Sequence, residues 1–321
     1  MGTDFDYLEK TPVAHVFEKA KVVIFNRRPG FAQVGELSGF DTFLNLQKKY
    51  GFKYIVDLDD YWFLPSNSPF YADWKARGIT QEILECIMNA NHVFVTTDRL
   101  AEQAEKYNKY VTVIPNALPF GDGQFNDEHE PSDISRIIYA GGASHYWDLH
   151  SIRGVFDKIS RSGHKFQLQL AGYSDFNKQT KFYWDKVEKL VTASGRIKDY
   201  VRKEMLSLDE YMNHYTSADL SLAPLEDNFF NRYKSNLKIL EAGCKNIPII
   251  TSAIPPYADE NTELISMAKN SSDWFKFLHT YLKNPSKIKE DGQRLGEYVR
   301  EKYNLYKINE TRKQIFNNLI N

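Results

Sequence analysis

Two stretches of this 321-residue chain carry residue types that can hold an anion and act on it. In the first, Ile137-Ile-Tyr-Ala-Gly-Gly-Ala-Ser-His-Tyr-Trp-Asp-Leu-His-Ser-Ile152, an apolar run meets a double glycine and a helix-like segment follows. Gly141 and Gly142 have no Cβ, so the backbone can turn sharply there and bring N–H groups to a phosphate. A helix opening near Trp147 would aim the positive end of its dipole at the same point. The pattern is neither GxGxxG nor GxxxxGK[ST], and an ordinary strand-to-helix turn has the same composition. His145 either donates to a bound oxygen or faces solvent. Its spacing of five from His150 is a poor one for two ligands of a single metal.

The second stretch runs from Ala218-Asp-Leu-Ser-Leu-Ala-Pro-Leu225 through Asn231-Arg-Tyr-Lys-Ser-Asn-Leu-Lys-Ile-Leu-Glu241 to Ser252. A strand ends at Pro224, a polar loop leads into a helix, and a Gly- and Pro-punctuated turn returns to a buried strand. Ser235 fits an N-cap, which would point first-turn N–H groups at a ligand. Arg232, Lys234 and Lys238 place three positive charges within seven residues, which suits an anionic ligand. Glu241 lies two turns in, where a carboxylate can accept hydrogen bonds from a sugar diol. The plainer alternative is a solvated helix on which Lys238 and Glu241 pair at i,i+3 for a few tenths of a kcal/mol.

The elements that must position these residues alternate short apolar runs with helix-like stretches, which predicts α/β architecture with parallel sheets. Strands are expected at Val22–Phe25, Tyr54–Val56, His92–Thr96, Val111–Ile114, Ile134–Ala140, Phe166–Ala171, Asp219–Ala223 and Ile247–Thr251. Helices are expected between them, including Gly39–Lys49, Leu149–Ser160, Leu208–Tyr215 and Ser235–Lys245, and after about residue 272 the chain reads as helix only. The Gly-, Asp-, Glu- and Pro-rich run Gly121–Pro131 reads as a linker. The expected organisation is a first domain over 1–121, a second over 132–300 and a closing helix over 301–321 that crosses back to the first, with a ligand cleft between the two domains.

Composition narrows the function classes. The chain has 41 Lys and Arg against 42 Asp and Glu, a net charge of −1, which argues against general electrostatic binding to nucleic acid. Cys86 and Cys244 are too few for a disulfide framework or an unaided zinc site, and read as buried thiols in a reducing compartment. No apolar run approaches the roughly 18 to 20 residues of a membrane span. The start at Met1-Gly-Thr-Asp-Phe-Asp6 has no leader character. These readings place the protein in the cytoplasm, with peripheral membrane contact left open. There is no G-x-S-x-G elbow and no cysteine–histidine pattern for a hydrolase, and no segment that suits a lysine-linked pyridoxal phosphate.

The run Asn231–Ser252 resembles the donor-site signature of GT-B glycosyltransferases, especially the retaining family-4 group. That signature has two glutamates eight apart, then a helix and a G-x-P-[VI]-[VI] segment leading into a strand. Glu241 matches the second glutamate, and Asn246-Ile-Pro-Ile-Ile250 matches the segment with Asn for Gly. The first glutamate falls on Tyr233, a departure that bears on sugar recognition. Tyr139–Leu149 is similar to the loop that opens the donor domain of that group. Val95–Leu100 and Val113–Ala117 are similar to its T-x-x-L and V-I-P-N segments, and Tyr54–Trp62 resembles a D-x-D-D strand end of bacterial polysaccharide glycosyltransferases. The resemblance spans about residues 22 to 256. The first domain reads as trimmed, because the usual glycine-rich loop has no clear place before Val22.

The resemblance implies two Rossmann-like domains of the GT-B fold and transfer of a sugar from a nucleoside-diphosphate sugar, with retention, to an acceptor hydroxyl, a glycan first. Glu241 is then a ribose contact, and Gly141 and Gly142 hold the diphosphate by backbone N–H groups. The expected donor set is Gly141, Gly142, Ser144, Ser235, Asn236, Leu237, Lys238 and Glu241, with His145, Lys234 and Arg232 at the chemistry. Asp57, Asp59, Asp60 and Arg27 are assigned to the acceptor side. Asp57-Leu-Asp59 is also a D-x-D that can share a hard cation, but lysine and helix N-termini neutralise a leaving diphosphate without a metal. No cofactor is expected beyond the nucleotide sugar. Three alternatives stay open: a DNA-modifying glycosyltransferase of phage type, a non-catalytic nucleotide-binding module, and a nucleotide-sugar isomerase or epimerase. The DNA reading draws on Arg27, Arg28, Lys48, Lys49 and Lys53 and on 28 Lys against 13 Arg, a bias of AT-rich genomes.

Overall fold

The computed structural model describes residues 13–30 and 39–321. Met1 to Asp6, read above for a leader, lie outside them. The chain divides into two compact units. One holds the residues up to Pro115 together with Tyr233–Ser235 and Lys307–Asn321; the other holds Asn116–Arg232 and Asn236–Tyr306.

In the first unit β1 (Val22–Asn26), β2 (Lys53–Leu58), β3 (His92–Val95) and β4 (Val111–Val113) form a parallel sheet in that order. Successive side chains of a strand point to opposite faces, and Tyr54 and Ile55 mark the two sides of β2. Tyr54 packs edge-on to Phe43 of the Gly39–Tyr50 helix, ring centres 5.2 Å apart, within an aromatic cluster that includes Phe17 and Phe52. Ile55 joins Phe94 and Ile114 beneath Ile308, Ile315, Phe316 and Leu319 of the Leu305–Ile320 helix. The last helix of the chain therefore completes the core of the first unit.

The second unit has six strands: β5 (Ser135–Ala140), β6 (Phe166–Tyr173), β7 (Tyr200–Glu204), β8 (Leu220–Ala223), β9 (Ile249–Ser252) and β10 (Ser266–Ala268). They are ordered β10-β9-β8-β5-β6-β7, and every pairing is parallel. Ile137 and Tyr139 face one buried cluster, Ile138 and Ala140 the other. Burial on both faces explains the continuous apolar runs Ile137–Ala140 of β5 and Ile249–Ile250 of β9.

β7 and β10 are absent from the sequence reading for a physical reason. Both are edge strands; β7 reads Tyr-Val-Arg-Lys-Glu and is only partly buried, and β10 has three residues. Two helix expectations change as well. The Leu149–Ser160 stretch is broken into Tyr146–His150 and Arg153–Ile159, and helix near Leu208–Tyr215 is confined to Asn213–Thr216. Gly121–Pro131 is not a free linker but part of the second unit. Gln124 donates to Leu208 O and accepts from Met212 N, Glu130 N donates to Thr216 O, and Lys245 Nζ reaches Asn126 Oδ1 at 2.7 Å. Most of its residues stay exposed, but these bonds anchor the segment to the second unit.

The Leu237–Cys244 helix lies against the Pro285–Lys302 helix at a distance only glycine allows. A Cβ on Gly243 would come within 2.6 Å of Val299, and a Cβ on Gly292 or Gly296 would collide with Asn246. Gly292 meets backbone, which cannot swing away as a side-chain end can. Gly292→Ala should therefore lower stability by about 3 kcal/mol or more, at the upper end of overpacking costs. Gly154→Ala, in the Arg153–Ile159 helix with nothing within 4 Å, should instead raise it by about 0.5 kcal/mol. Paired melting curves check this; equal melting temperatures for the two variants would contradict the packing argument.

Candidate functional site

The order of the second sheet determines where a ligand can be met. From β5 the chain builds outward through β6 and β7, then returns to the other side of β5 for β8, β9 and β10. At such a reversal the loops after the two central strands diverge and open a crevice at their carboxyl ends. Here these are the loop after β5, with Gly141, Gly142, Ser144 and His145, and the loop after β8, from Pro224 to Asn236. The two sequence stretches singled out for chemistry are the two loops at this switch point.

Gly141 differs from expectation. Its N–H donates to Ala171 O at 3.1 Å, extending the pairing with β6, so that group is engaged and does not face an anion. A Cβ there would press on the Tyr139 hydroxyl at 2.8 Å, which accounts for the glycine. Gly142 is extended, at φ −82°, and opens the short 3₁₀ turn Ala143–His145. Among the described residues the N–H groups of Gly142, Ala143 and Ser144 make no backbone hydrogen bond.

Asp148, one turn on, is 5% exposed and joins the loops. Its Oδ1 accepts from Glu226 N and from Asn231 Nδ2, both at 2.8 Å, and its Oδ2 lies 2.7 Å from His145 Nδ1. Asn231 also donates to Glu226 O at 2.9 Å, which closes the β8 loop on itself. Neither Asp148 nor Asn231 was a candidate in the sequence. The available signal was the i,i+3 spacing of His145 and Asp148 on a helical segment.

The Leu237–Cys244 helix rises from the β8 loop. Asn236, not Ser235, is its cap residue; the Asn236 side chain turns away to Glu260 and makes no capping bond. Glu260 also takes the Tyr298 and Tyr303 hydroxyls and Lys302, so Asn236 is tied to the Pro285–Lys302 helix. Leu237 packs on the apolar cluster beneath the helix. Glu241 is 4% exposed, and its Oε2 accepts from Tyr215 Oη and Lys238 Nζ, each at 2.7 Å. The i,i+3 pair weighed above is therefore formed. Lys238 Nζ donates to Tyr211 Oη at 2.5 Å as well. Burial works against the Lys238 ammonium, yet Glu241 and Tyr211 hold its pKa above the ordinary value. Burial first, then the Glu241 carboxylate, pushes the Tyr215 hydroxyl well above its own.

Arg232 is half-exposed and clasps Asp227, with Nε 2.6 Å from Oδ1 and Nη2 2.9 Å from Oδ2. Its hydrogen bonds hold the Asp227 carboxyl below the usual carboxylate range. Lys234 and Ser235 belong to the first unit, as do the acceptor-side candidates. There Lys234 Nζ stands 3.6 Å from Asp60 Oδ1, and the Tyr233 ring stacks on Tyr61 with centres 4.4 Å apart. Arg27 donates to Asp59 Oδ1 through Nε and Nη2, and to Asp60 Oδ2 at 2.9 Å. Asp59 and Asp60 thus take cationic side chains of the chain itself. Asp57 lies on β2, its pKa raised by burial against the opposing pull of Arg312. Arg28 pairs with Glu82 at 2.8 Å, so neither arginine of the basic run offers an unpaired charge for a phosphate backbone. Both cysteines are buried and unpaired, and no described helix is long and apolar enough to cross a membrane.

No protein-family model matches the sequence, and no curated protein matches it. Solved structures do match in shape. Sucrose-phosphate synthase from Thermosynechococcus elongatus aligns over 93% of this chain and 73% of its own, with a TM-score of 0.69 at 15% identity. A glycosyltransferase from Rickettsia africae aligns over 100% and 84%, with 0.66 at 13% identity. HepE from Anabaena, solved in complex with UDP-glucose, aligns over 95% and 81%, with 0.67 at 11% identity. These neighbours are GT-B glycosyltransferases, and the chain has the GT-B fold.

Proposed function

We propose that this chain transfers a sugar from a nucleoside-diphosphate sugar to an acceptor hydroxyl, with retention and with a glycan as acceptor. The observation that carries the reading is the placement of both chemistry-bearing loops at the strand-order reversal of the second unit. The complex of the HepE neighbour with UDP-glucose supports a sugar nucleotide as ligand class. In this reading the diphosphate lies against the N–H groups of Gly142, Ala143 and Ser144, and Arg232 exchanges Asp227 for a phosphate oxygen. Glu241 takes the ribose diol. A carboxylate has about four lone-pair sites, so the two donors on Oε2 leave capacity for it.

The reaction breaks the bond between the anomeric carbon and the diphosphate oxygen and forms one from that carbon to the acceptor oxygen on the same face. The acceptor proton passes to the leaving phosphate. Backbone N–H groups and a guanidinium offset the charge that grows on the diphosphate, and they act most strongly where that charge is greatest. No divalent metal is needed. One observation favours a second reading, nucleotide binding without transfer: Tyr233 stands where the resemblance calls for a sugar-binding carboxylate, and its ring is stacked on Tyr61.

A thermal-shift panel of nucleoside diphosphates and their sugars tests the ligand class, because a ligand present at 100 times its Kd adds about 2.7 kcal/mol of stability. At least one diphosphate and its sugar should raise the melting temperature; no shift with any of them removes the proposal. Binding without release of the nucleoside diphosphate in the presence of glycan acceptors would establish the second reading.

Glu241→Ala should raise the Kd for the selected nucleoside diphosphate by roughly 10- to 100-fold, since a hydrogen bond to a charged group contributes about 1.5 to 3 kcal/mol. It should also cost about 3 kcal/mol of stability by leaving Lys238 without its buried partner. Lower stability with unchanged affinity would make Glu241 a core residue alone.

Chelation by EDTA should leave the transfer rate unchanged. Loss of activity that manganese restores would instead assign a metal to the site.

A further inference from the structure

The carboxylate of Asp148 receives three donors from two loops, and one of them belongs to His145. An ionised carboxylate accepts and does not donate, so His145 Nδ1, 2.7 Å from Asp148 Oδ2, carries a hydrogen. In the neutral ring the remaining nitrogen, Nε2, is then the acceptor. The residues sit three apart, which puts both side chains on one face of a helical turn. Asp148 is 8% exposed at its side chain and is held from behind by Glu226 N and Asn231 Nδ2, while His145 is 30% exposed. A buried, doubly anchored carboxylate therefore holds Nδ1 of a ring that is itself only partly buried.

We propose that Asp148 is a positioning residue that sets the tautomer and plane of His145, so that Nε2 accepts a hydrogen bond from a hydroxyl of the donor sugar. This rests on the nucleotide-sugar reading for the identity of the ligand and deepens it in two ways. It reverses the polarity that the sequence reading gave His145 where it allowed a ligand contact, a donor to a bound oxygen, the other alternative being a ring facing solvent. It also places sugar recognition in the loop after β5, although the carboxylate expected for that task is Tyr233 in this chain. The second tie of Asp148, to Glu226 and Asn231, fixes the β8 loop to the same point.

The tautomer can be read without substrate. A long-range ¹⁵N–¹H correlation spectrum of histidine-labelled protein, with His145 identified by its loss in His145→Gln, should show the proton on Nδ1. Asp148→Asn retains an oxygen for Glu226 N and Asn231 but presents an amide to the ring, and should move the proton to Nε2. Asn231→Ala removes a loop tie while leaving the Asp148–His145 contact, and should keep the wild-type tautomer. Affinities then separate positioning from general support. Asp148→Asn should weaken binding of the sugar nucleotide selected by the panel by about 10-fold, and that of the bare nucleoside diphosphate by less than about 2-fold. Added to His145→Ala, it should weaken the sugar nucleotide no further. An unchanged tautomer in Asp148→Asn, or equal losses for both ligands, would overturn the proposal. If no nucleoside diphosphate binds the wild type, the nucleotide-sugar reading falls, and with it the sugar contact assigned to Nε2.

Discussion

The reversal of strand order between β5 and β8 is the constraint on which the rest of the second unit depends. A parallel sheet that grew in one direction would carry each loop past its neighbour on the same side and leave no gap at the carboxyl edge. Because the chain returns to the free side of β5, the loops after β5 and β8 leave the sheet from neighbouring strands in diverging directions. Asp148 joins them, taking one donor from its own loop and two from the other while remaining buried.

The helix that follows the β8 loop is held with little freedom. On one side its glycine and those of the Pro285–Lys302 helix let the backbones approach closely. Near its start Lys238 and Glu241 are paired within a shell of tyrosine hydroxyls. Paired charges in a largely buried site are weak evidence for net stability, but removal of either partner leaves the other without its counter-charge, with a tyrosine hydroxyl as its remaining partner. That asymmetry makes the arrangement specific: Tyr211, Tyr215, Lys238 and Glu241 accommodate one geometry, and the first turn of the helix is fixed with them. Glu260 acts similarly at the next layer, gathering Asn236, Tyr298, Lys302 and Tyr303.

The acidic end of β2 in the first unit follows a different logic. Asp59 and Asp60 are close to charge balance with Arg27 and Lys234, and these pairs are partly exposed, where an ion pair contributes little to stability. Their effect is on orientation. Arg27 adopts a positive φ of 59°, and its guanidinium spans both carboxylates, so the loop after β1 and the end of β2 are held in register by side chains.

The sequence by itself determined the alternation of strands and helices and pointed to the two loops at the strand-order reversal. Those features are local: a strand buried on both faces is mostly apolar, as Ile137–Ala140 and Ile249–Ile250 are, and a double glycine after such a run marks a turn. Tertiary structure decided what local composition cannot carry. β7 and β10 become strands because a neighbour supplies their hydrogen bonds, not because their residues favour it. Gly121–Pro131 reads as a linker until its polar groups find partners up to 119 residues away. Asp148 is the clearest case. Its tie to His145 is three residues long and was legible as a spacing, whereas Glu226 and Asn231 lie 78 and 83 residues further on. No pattern in one chain announces such a bond, because it is made only when strand order brings two loops to the same edge.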